Sequence, residues 1–206
     1  MVGQKIDGIE VSNAVKDILK NAVEKLNSEN VLPCLATILI GDDPASAIYV
    51  KNKHNACEKI GIKTKDHKLP ANTTQKELNK IIDELNNDKE VHGILVQLPL
   101  PKQLDEFATI ARISPIKDVD GLTPQNVGLL SIGKSILRPC TPSGIMEMFY
   151  YYKINLQGKN VVMINRSNLI GKPLYHLLLQ NNATVITCHS KTENLHEYCK
   201  NADVII

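Results

Sequence analysis

LATILIG, residues 35–41, is apolar at every position but one before its closing glycine. No other feature limits the possible folds as much. A strand with one wet face alternates apolar and polar residues, whereas an unbroken apolar run has both faces covered. The same character returns in HGILVQLPLP (92–101), stopped by Pro99 and Pro101, and in KNVVMIN (159–165), ATVITC (183–188) and ADVII (202–206).

Helical periodicity fills the gaps between these runs. Val11, Ala14, Val15, Ile18, Leu19, Ala22, Val23 and Leu26 predict an amphipathic helix over 11–28. GDDP breaks the chain after the first strand, and a helix carrying Tyr49 and Lys53 follows, ending through Gly61. A weaker strand is expected over 62–69. Thr74 and Glu77 form a capping-box pattern ahead of a helix with Leu78, Ile81, Ile82 and Leu85 inward. A further helix is expected over 103–112, one after Pro142, one over 170–181 and a short one over 193–200. Strands alternating with helices predict an α/β protein with mostly parallel sheets. The expected division is an N-terminal three-layer α/β domain over 1–139 and a Rossmann-like dinucleotide-binding domain over 140–206 that stops short of its usual end. SPIKDVDGLTPQNVG (114–128), polar and rich in turn formers, is read as an ordered loop.

Composition narrows the function classes. The net charge of +2, without runs of like charge, together with the absence of Trp and only two Phe, argues against a nucleic-acid surface. Five scattered cysteines form no CxxC pair and no zinc-spaced set with the six histidines, so reduced thiols in the cytoplasm are expected and no metal site is. No segment reaches the length of a membrane span.

Several residues invite a chemical reading beside a structural one. Tyr49 and Lys53 lie four apart, hence on one helix face, either as a half-buried phenol beside a solvated lysine or as two groups aimed into one space. Gln97 stands at the carboxyl end of a parallel strand, where ligands of such sheets bind. Asp118 and Asp120 in KDVDG suit a turn, and a carboxylate there also suits the amide-plus-amino edge of a pterin or guanine. VVMINRSNLIGKP reads as strand, tight turn, helix, the setting in which a pyrophosphate meets a helix N-terminus. GxGxxG is missing: Asn165 takes the first glycine's place, tolerating the positive φ of a tight turn, and the next glycine is Gly171. Where NAD-binding units carry an acid at the end of the second strand, this chain has CHSKT, so Arg166, Ser190 and Lys191 suit a 2′-phosphate instead.

DDPASAIYVKNKHNACEKIGI, GILVQLPLP, KDVDGLTPQNVG, RPCTPSGIMEM, NRSNLIGKPL and ATVITCHSKT occur here in the order seen in the bifunctional methylenetetrahydrofolate dehydrogenase/methenyltetrahydrofolate cyclohydrolase family, which the chain resembles from its N-terminus to its last residue. The resemblance implies an NADP-dependent enzyme of one-carbon metabolism, feeding purine biosynthesis, that is commonly a homodimer acting on tetrahydrofolate derivatives. It implies that Tyr49, Lys53, Gln97 and Leu98 face the folate, with Gln97 hydrogen-bonded to Lys53, and that Asp120 holds the pterin. It assigns Asn165, Arg166, Ser167, Gly171 and Ser190 to the cofactor, Arg166 and Ser190 being the positions that favour NADP. Family members continue beyond NADVII, so a fragment or truncated product is expected. A short-chain dehydrogenase also carries Tyr-x-x-x-Lys, but its nucleotide turn precedes the pair. A shikimate-dehydrogenase-like enzyme would not explain VQLPLP or KDVDG, and an inactive folate-binding protein is the non-catalytic alternative.

Overall fold

The computed structural model describes residues 3–206. Its internal contacts gather the chain into two units, one of residues 12–119 and the other of residues 120–206 with the N-terminal stretch through Val11. Helix α1, Gly8–Ser28, starts earlier than its apolar periodicity predicts, because the Asp7 carboxylate accepts the N–H groups of Ile9 (2.9 Å) and Glu10 (3.4 Å).

The 12–119 unit contains β1 (Cys34–Ile40), α2 (Pro44–Lys59), β2 (Lys63–Leu69), α3 (Gln75–Asn87), β3 (Gly93–Val96) and α4 (Glu106–Arg112). Its sheet has the order β2-β1-β3 and is parallel throughout, with Leu35 beside both Thr64 and Gly93. The unbroken apolar runs are the central strand β1, buried over residues 36–40, and its neighbour β3, buried throughout. By contrast, β2 is the polar edge, KTKDHKL, whose lysines discourage pairing with another chain. Helix α3 covers one face through Leu78, Ile82 and Leu85, which join Ala36, Ile38, Ile40, Ile94 and Val96 in one core. Its capping box is complete: Thr74 Oγ1 accepts the Glu77 N–H, and Glu77 Oε2 accepts the Thr74 N–H at 2.8 Å.

The second unit repeats this plan with α5 (Pro124–Ser131), α6 (Cys140–Tyr151), β4 (Asn160–Ile164), α7 (Gly171–Gln180), β5 (Thr184–Cys188), α8 (Leu195–Lys200) and β6 (Val204–Ile205). The sheet order is β5-β4-β6, again parallel. Leu174, Leu177 and Leu178 of α7 bury against Val161 and Met163, and Met146 and Phe149 of α6 complete that core. Tyr151 and Tyr152, just after the buried stretch of α6, donate to the two oxygens of Glu10 (2.8 and 3.0 Å), which ties the N-terminal stretch to its own unit.

The α/β class, the parallel sheets and the Rossmann-like second unit agree with the sequence reading. Helix α5 does not: it begins inside the stretch read as a loop and runs past its end to Ser131. Thr123 caps it by accepting the Asn126 N–H, and Pro124 occupies its first turn, where a missing N–H is harmless. Residues 120–139, read as part of the first domain, pack with the second unit, because Leu130 is buried in that core and its carbonyl accepts Gln180 Nε2 at 2.8 Å.

Replacing the cap, Thr74→Ala, should cost about 1 kcal/mol in urea unfolding, and Leu78→Ala, at a fully buried site, about 3 kcal/mol. Acid should destabilise the fold for a related reason. The Thr74 N–H holds the Glu77 carboxyl below its ordinary value, Arg112 does the same to Asp83, and Lys65 does so to Asp88. The unfolded chain therefore binds protons first. This stabilisation is complete above the ordinary values of 3.8–4.5 and is lost as pH falls through the lower folded ones. The urea midpoint should accordingly be lower at about pH 3 than at about pH 6, on the two sides of the ordinary carboxylate range.

Candidate active site

In each unit the central strand is followed by a connection to one neighbour, while the third strand arrives on its other side. Crevices of open α/β sheets form at such switch points, beyond the carboxyl ends of the strands. Both groups of residues singled out in the sequence lie at such ends.

In the 12–119 unit, the ladder extends past β3, the Gln97 N–H donating to Ile38 O at 2.9 Å. The Gln97 side chain then turns within its loop, and Nε2 donates to Leu98 O at 2.7 Å. That bond fixes which end of the amide is nitrogen. The other end, Oε1, is buried with no hydrogen-bond partner. A buried carbonyl left without a donor is costly, on the order of 1–3 kcal/mol, and such atoms mark places where a ligand or water is meant to donate. The Lys53–Gln97 hydrogen bond that the resemblance implies is therefore not made, since the nitrogen is committed to Leu98 and the oxygen is unpartnered. Leu98 is half-buried, and its peptide bond to Pro99 is cis.

Helix α2 begins at the carboxyl end of β1. Asp43 caps it by accepting the Ser46 N–H at 2.7 Å, and Pro44 sits in its first turn. Tyr49 is 62% exposed and Lys53 half-buried, one turn apart. A further residue of this helix, Cys57, was given no role in the sequence. Burial pushes its thiol up, the Asp66 carboxylate adds to that, and the Lys53 ammonium opposes it, so both charges act on one spot.

KDVDG divides its duties. Lys117 O accepts the Ile94 N–H at 2.7 Å, and Lys117 Nζ donates to Leu85 O and Asp88 O at the end of α3 (2.9 and 2.7 Å). A cation on the last carbonyls of a helix is favourably placed against its dipole. Asp118 is buried (1% exposed) and bridges to Ile94 in the sheet, a structural position. Asp120 belongs to the second unit, where it is half-buried and accepts from Cys140 Sγ at 3.7 Å. Gly121 follows at φ +62°, and a Cβ there would lie 2.9 Å from the Arg138 carbonyl carbon, so only glycine lets these two segments cross.

The turn after β4 holds its shape by side-chain hydrogen bonds. Asn165 Oδ1 accepts the Ser167 N–H at 2.8 Å, and Ser167 Oγ accepts those of Ile170 (3.1 Å) and Gly171 (3.4 Å). Asn165 is not among the residues of positive φ, which corrects the expected left-handed turn: the asparagine acts through its side chain instead. Gly171 has a steric duty. A Cβ on it would sit 2.4 Å from Asn165 O, so its absence lets the first turn of α7 lie directly on the loop. That close approach of helix to turn is what dinucleotide-binding glycines provide. Arg166 is exposed in this turn, and Ser190 is exposed beyond the end of β5. The loop around Ser190 is closed by Thr192 Oγ1 accepting the His189 N–H at 2.8 Å, and no carboxylate occurs between Cys188 and Thr192. The exposed Arg166 and Ser190 are donors of the kind a phosphorylated dinucleotide calls for.

Among the described residues, no three His, Cys, Asp or Glu side chains gather to hold a metal ion, and no helix is long and apolar enough to cross a membrane. All five cysteines are free thiols.

Two family models match the chain in order: "Tetrahydrofolate dehydrogenase/cyclohydrolase, catalytic domain" over residues 6–120 and "Tetrahydrofolate dehydrogenase/cyclohydrolase, NAD(P)-binding domain" over residues 139–206. The bifunctional protein FolD of Nitrosopumilus maritimus is 68% identical over 206 residues, which are 100% of this chain and 72% of that protein. The crystal structure of the FolD dehydrogenase/cyclohydrolase of Campylobacter jejuni superposes with a TM-score of 0.95 at 46% identity, covering 97% of this chain and 71% of that one. That of the Trypanosoma brucei enzyme, complexed with NADP cofactor and inhibitor, gives a TM-score of 0.93 at 34% identity, covering 97% and 69%.

The contact at Gly171 makes a structural prediction. Gly171→Ala should destabilise the 120–206 unit by about 1–3 kcal/mol, the usual cost of overpacking, because the added carbon meets backbone and not a movable side chain. Urea unfolding followed by near-UV circular dichroism reads it. An unchanged midpoint would show that the turn can withdraw freely.

Proposed function

The chain belongs to the tetrahydrofolate dehydrogenase/cyclohydrolase family, and from that premise we propose that it oxidises 5,10-methylenetetrahydrofolate with NADP and hydrolyses the 5,10-methenyl product to 10-formyltetrahydrofolate. What carries the reading is that both family models match, each on its own half of the chain and in the family's order.

NADP, when bound, takes the hydride from the methylene carbon and leaves a methenyl cation on the folate. The remaining work falls to this chain. Tyr49 offers an exposed ring edge for the folate, and Lys53 stands one turn on along the same face. Lys53 brings an amine to this surface. That amine can take a proton from the water attacking the methenyl carbon; the C–N5 bond of the adduct then breaks as its hydroxyl proton passes to N5, the C=O forms and the formyl group stays on N10. The unpartnered Oε1 of Gln97 supports a place for it in this step, as an acceptor for Lys53 or for the water once substrate is present. Asp120 is assigned to the pterin edge, and Leu98 to the wall beside Gln97. Asn165, Ser167 and Gly171 are assigned to the phosphate turn, and Arg166 and Ser190 to the 2′-phosphate. The family resemblance also supports a cytoplasmic homodimer as the working form.

Lys53→Met should abolish cyclohydrolase turnover while circular dichroism and the urea midpoint stay those of the parent. Conversion of methenyltetrahydrofolate at the parent rate would remove Lys53 from the mechanism. On the cofactor side, a charge-assisted Arg–phosphate contact is worth about 1.5–3 kcal/mol, or one to two decades in affinity. NADP should therefore bind at least about tenfold more tightly than NAD, and Arg166→Ala should erase the difference. Equal binding of the two by the parent in a fluorescence titration would refute the assignment.

A further inference from the structure

Helix α2 carries Tyr49 and Lys53, yet the core hardly holds it. Of its 16 residues only Ser46 is buried, and Ile48 is 60% exposed. None of its side chains joins the apolar cluster that fixes α3 to the same sheet. A helix without a buried apolar face must be positioned by something else.

Polar contacts to β1 and β2 take that role. His54, the residue after Lys53, places Nδ1 2.9 Å from Asp66 Oδ2 and 2.7 Å from Thr64 Oγ1, both on β2. A carboxylate only accepts, so Nδ1 carries the proton and donates to it. The other oxygen, Asp66 Oδ1, accepts from the hydroxyl of Thr37, which is 2% exposed on the central strand β1. Asp66 thus links the buried middle of the sheet to the one helical turn that holds Lys53. The link is directional, unlike apolar packing, and so fixes the helix in rotation as well as in distance. Two turns earlier, the helix is capped by Asp43, with Pro44 at its start.

We propose that His54 and Asp66 are a positioning pair for the reaction, fixing helix α2 on the sheet so that Lys53 and Tyr49 keep their place. The proposal rests on the functional reading above, and it concerns residues to which that reading gives no part. Neither touches substrate in this role. They act through the helix, and small misplacements of a reacting group can lower a rate by about a hundredfold.

The test uses the full chain and three variants. His54→Ala removes the donor. Asp66→Asn keeps an acceptor for Thr37 but not the charge facing His54. His54→Asn restores an N–H close to the position of Nδ1. Hydrogen exchange of the α2 amides is read beside steady-state cyclohydrolase kinetics. The first two variants should speed exchange in residues 49–57 without changing that in α3, and should lower kcat about tenfold or more, with the affinity for NADP unchanged. His54→Asn should recover most of the rate. Parent-like exchange in α2 overturns the proposal, as does parent-like kcat per folded molecule in both variants. A loss of rate that simply follows the folded fraction overturns it too. A parent without cyclohydrolase activity would refute the functional reading instead, and the exchange data would then decide on their own whether the pair anchors the helix.

Discussion

The central strands β1 and β4 are hydrogen-bonded on both edges and covered on both faces, and every other element takes its place from them. Residues 36–40 of β1 and 161–163 of β4 are buried without interruption. Such a strand tolerates no polar side chain that lacks a partner, which is why Thr37, alone in its run, hands its hydroxyl to Asp66. It also dictates where chemistry is possible. With both faces and both edges occupied, only the strand ends are open, so Gln97 in one unit and the Asn165–Gly171 turn in the other are the positions from which a ligand can be addressed.

The two units answer this constraint with the same strand order and different loops. In the 12–119 unit the loop after β1 caps a helix with Asp43 and Pro44 and leaves the helix wall itself exposed, the surface proposed for the folate. After β4, the loop is stitched by Asn165 and Ser167 and pressed against the helix at Gly171, and this turn is the surface proposed for the cofactor. A side-chain wall suits a substrate recognised by a ring edge and a reacting lysine. A turn that holds its own N–H groups and exposes Arg166 suits phosphates through that side chain. The division of labour between the two halves follows from these loops and not from the sheets, which are alike.

Elements whose signal is local were legible in the sequence. The apolar runs, the Thr74–Glu77 cap and the helical stripe of α3 each lie within a few consecutive residues, and each stands where expected. What escaped reading depends on partners distant in sequence or on chemistry with two solutions. Helix α5 is short and polar at its start, and its Thr123-Pro124 cap was outweighed by the turn formers around it. Asn165 can serve a tight turn either by a left-handed backbone or by its side chain, and the sequence does not distinguish them. The pairing of Gln97 with Lys53 followed from the resemblance, whereas the amide's choice of Leu98 O is a matter of rotamer. His54 carries no signal of its own in the sequence, because Asp66, the residue that gives it meaning, is 12 positions away on strand β2.

Helix α2 and helix α3 illustrate why a protein would fasten two neighbours by different means. Burying Leu78, Ile82 and Leu85 gives α3 a large, non-directional attachment that is indifferent to small rotations about its axis. For a helix that only covers a sheet, this is enough. A helix that must present a phenol and an amine to one substrate needs its rotation fixed, and it must keep an exposed face for the substrate to reach. An apolar stripe facing the sheet would meet the second need but not the first. A hydrogen-bonded link from Thr37 through Asp66 to His54 meets both, since it occupies one side chain of the helix and leaves Tyr49 and Lys53 uncommitted to the core. On the proposed assignment, the weak burial of α2 is the counterpart of its exposure to substrate, and the polar link makes that exposure compatible with a defined geometry.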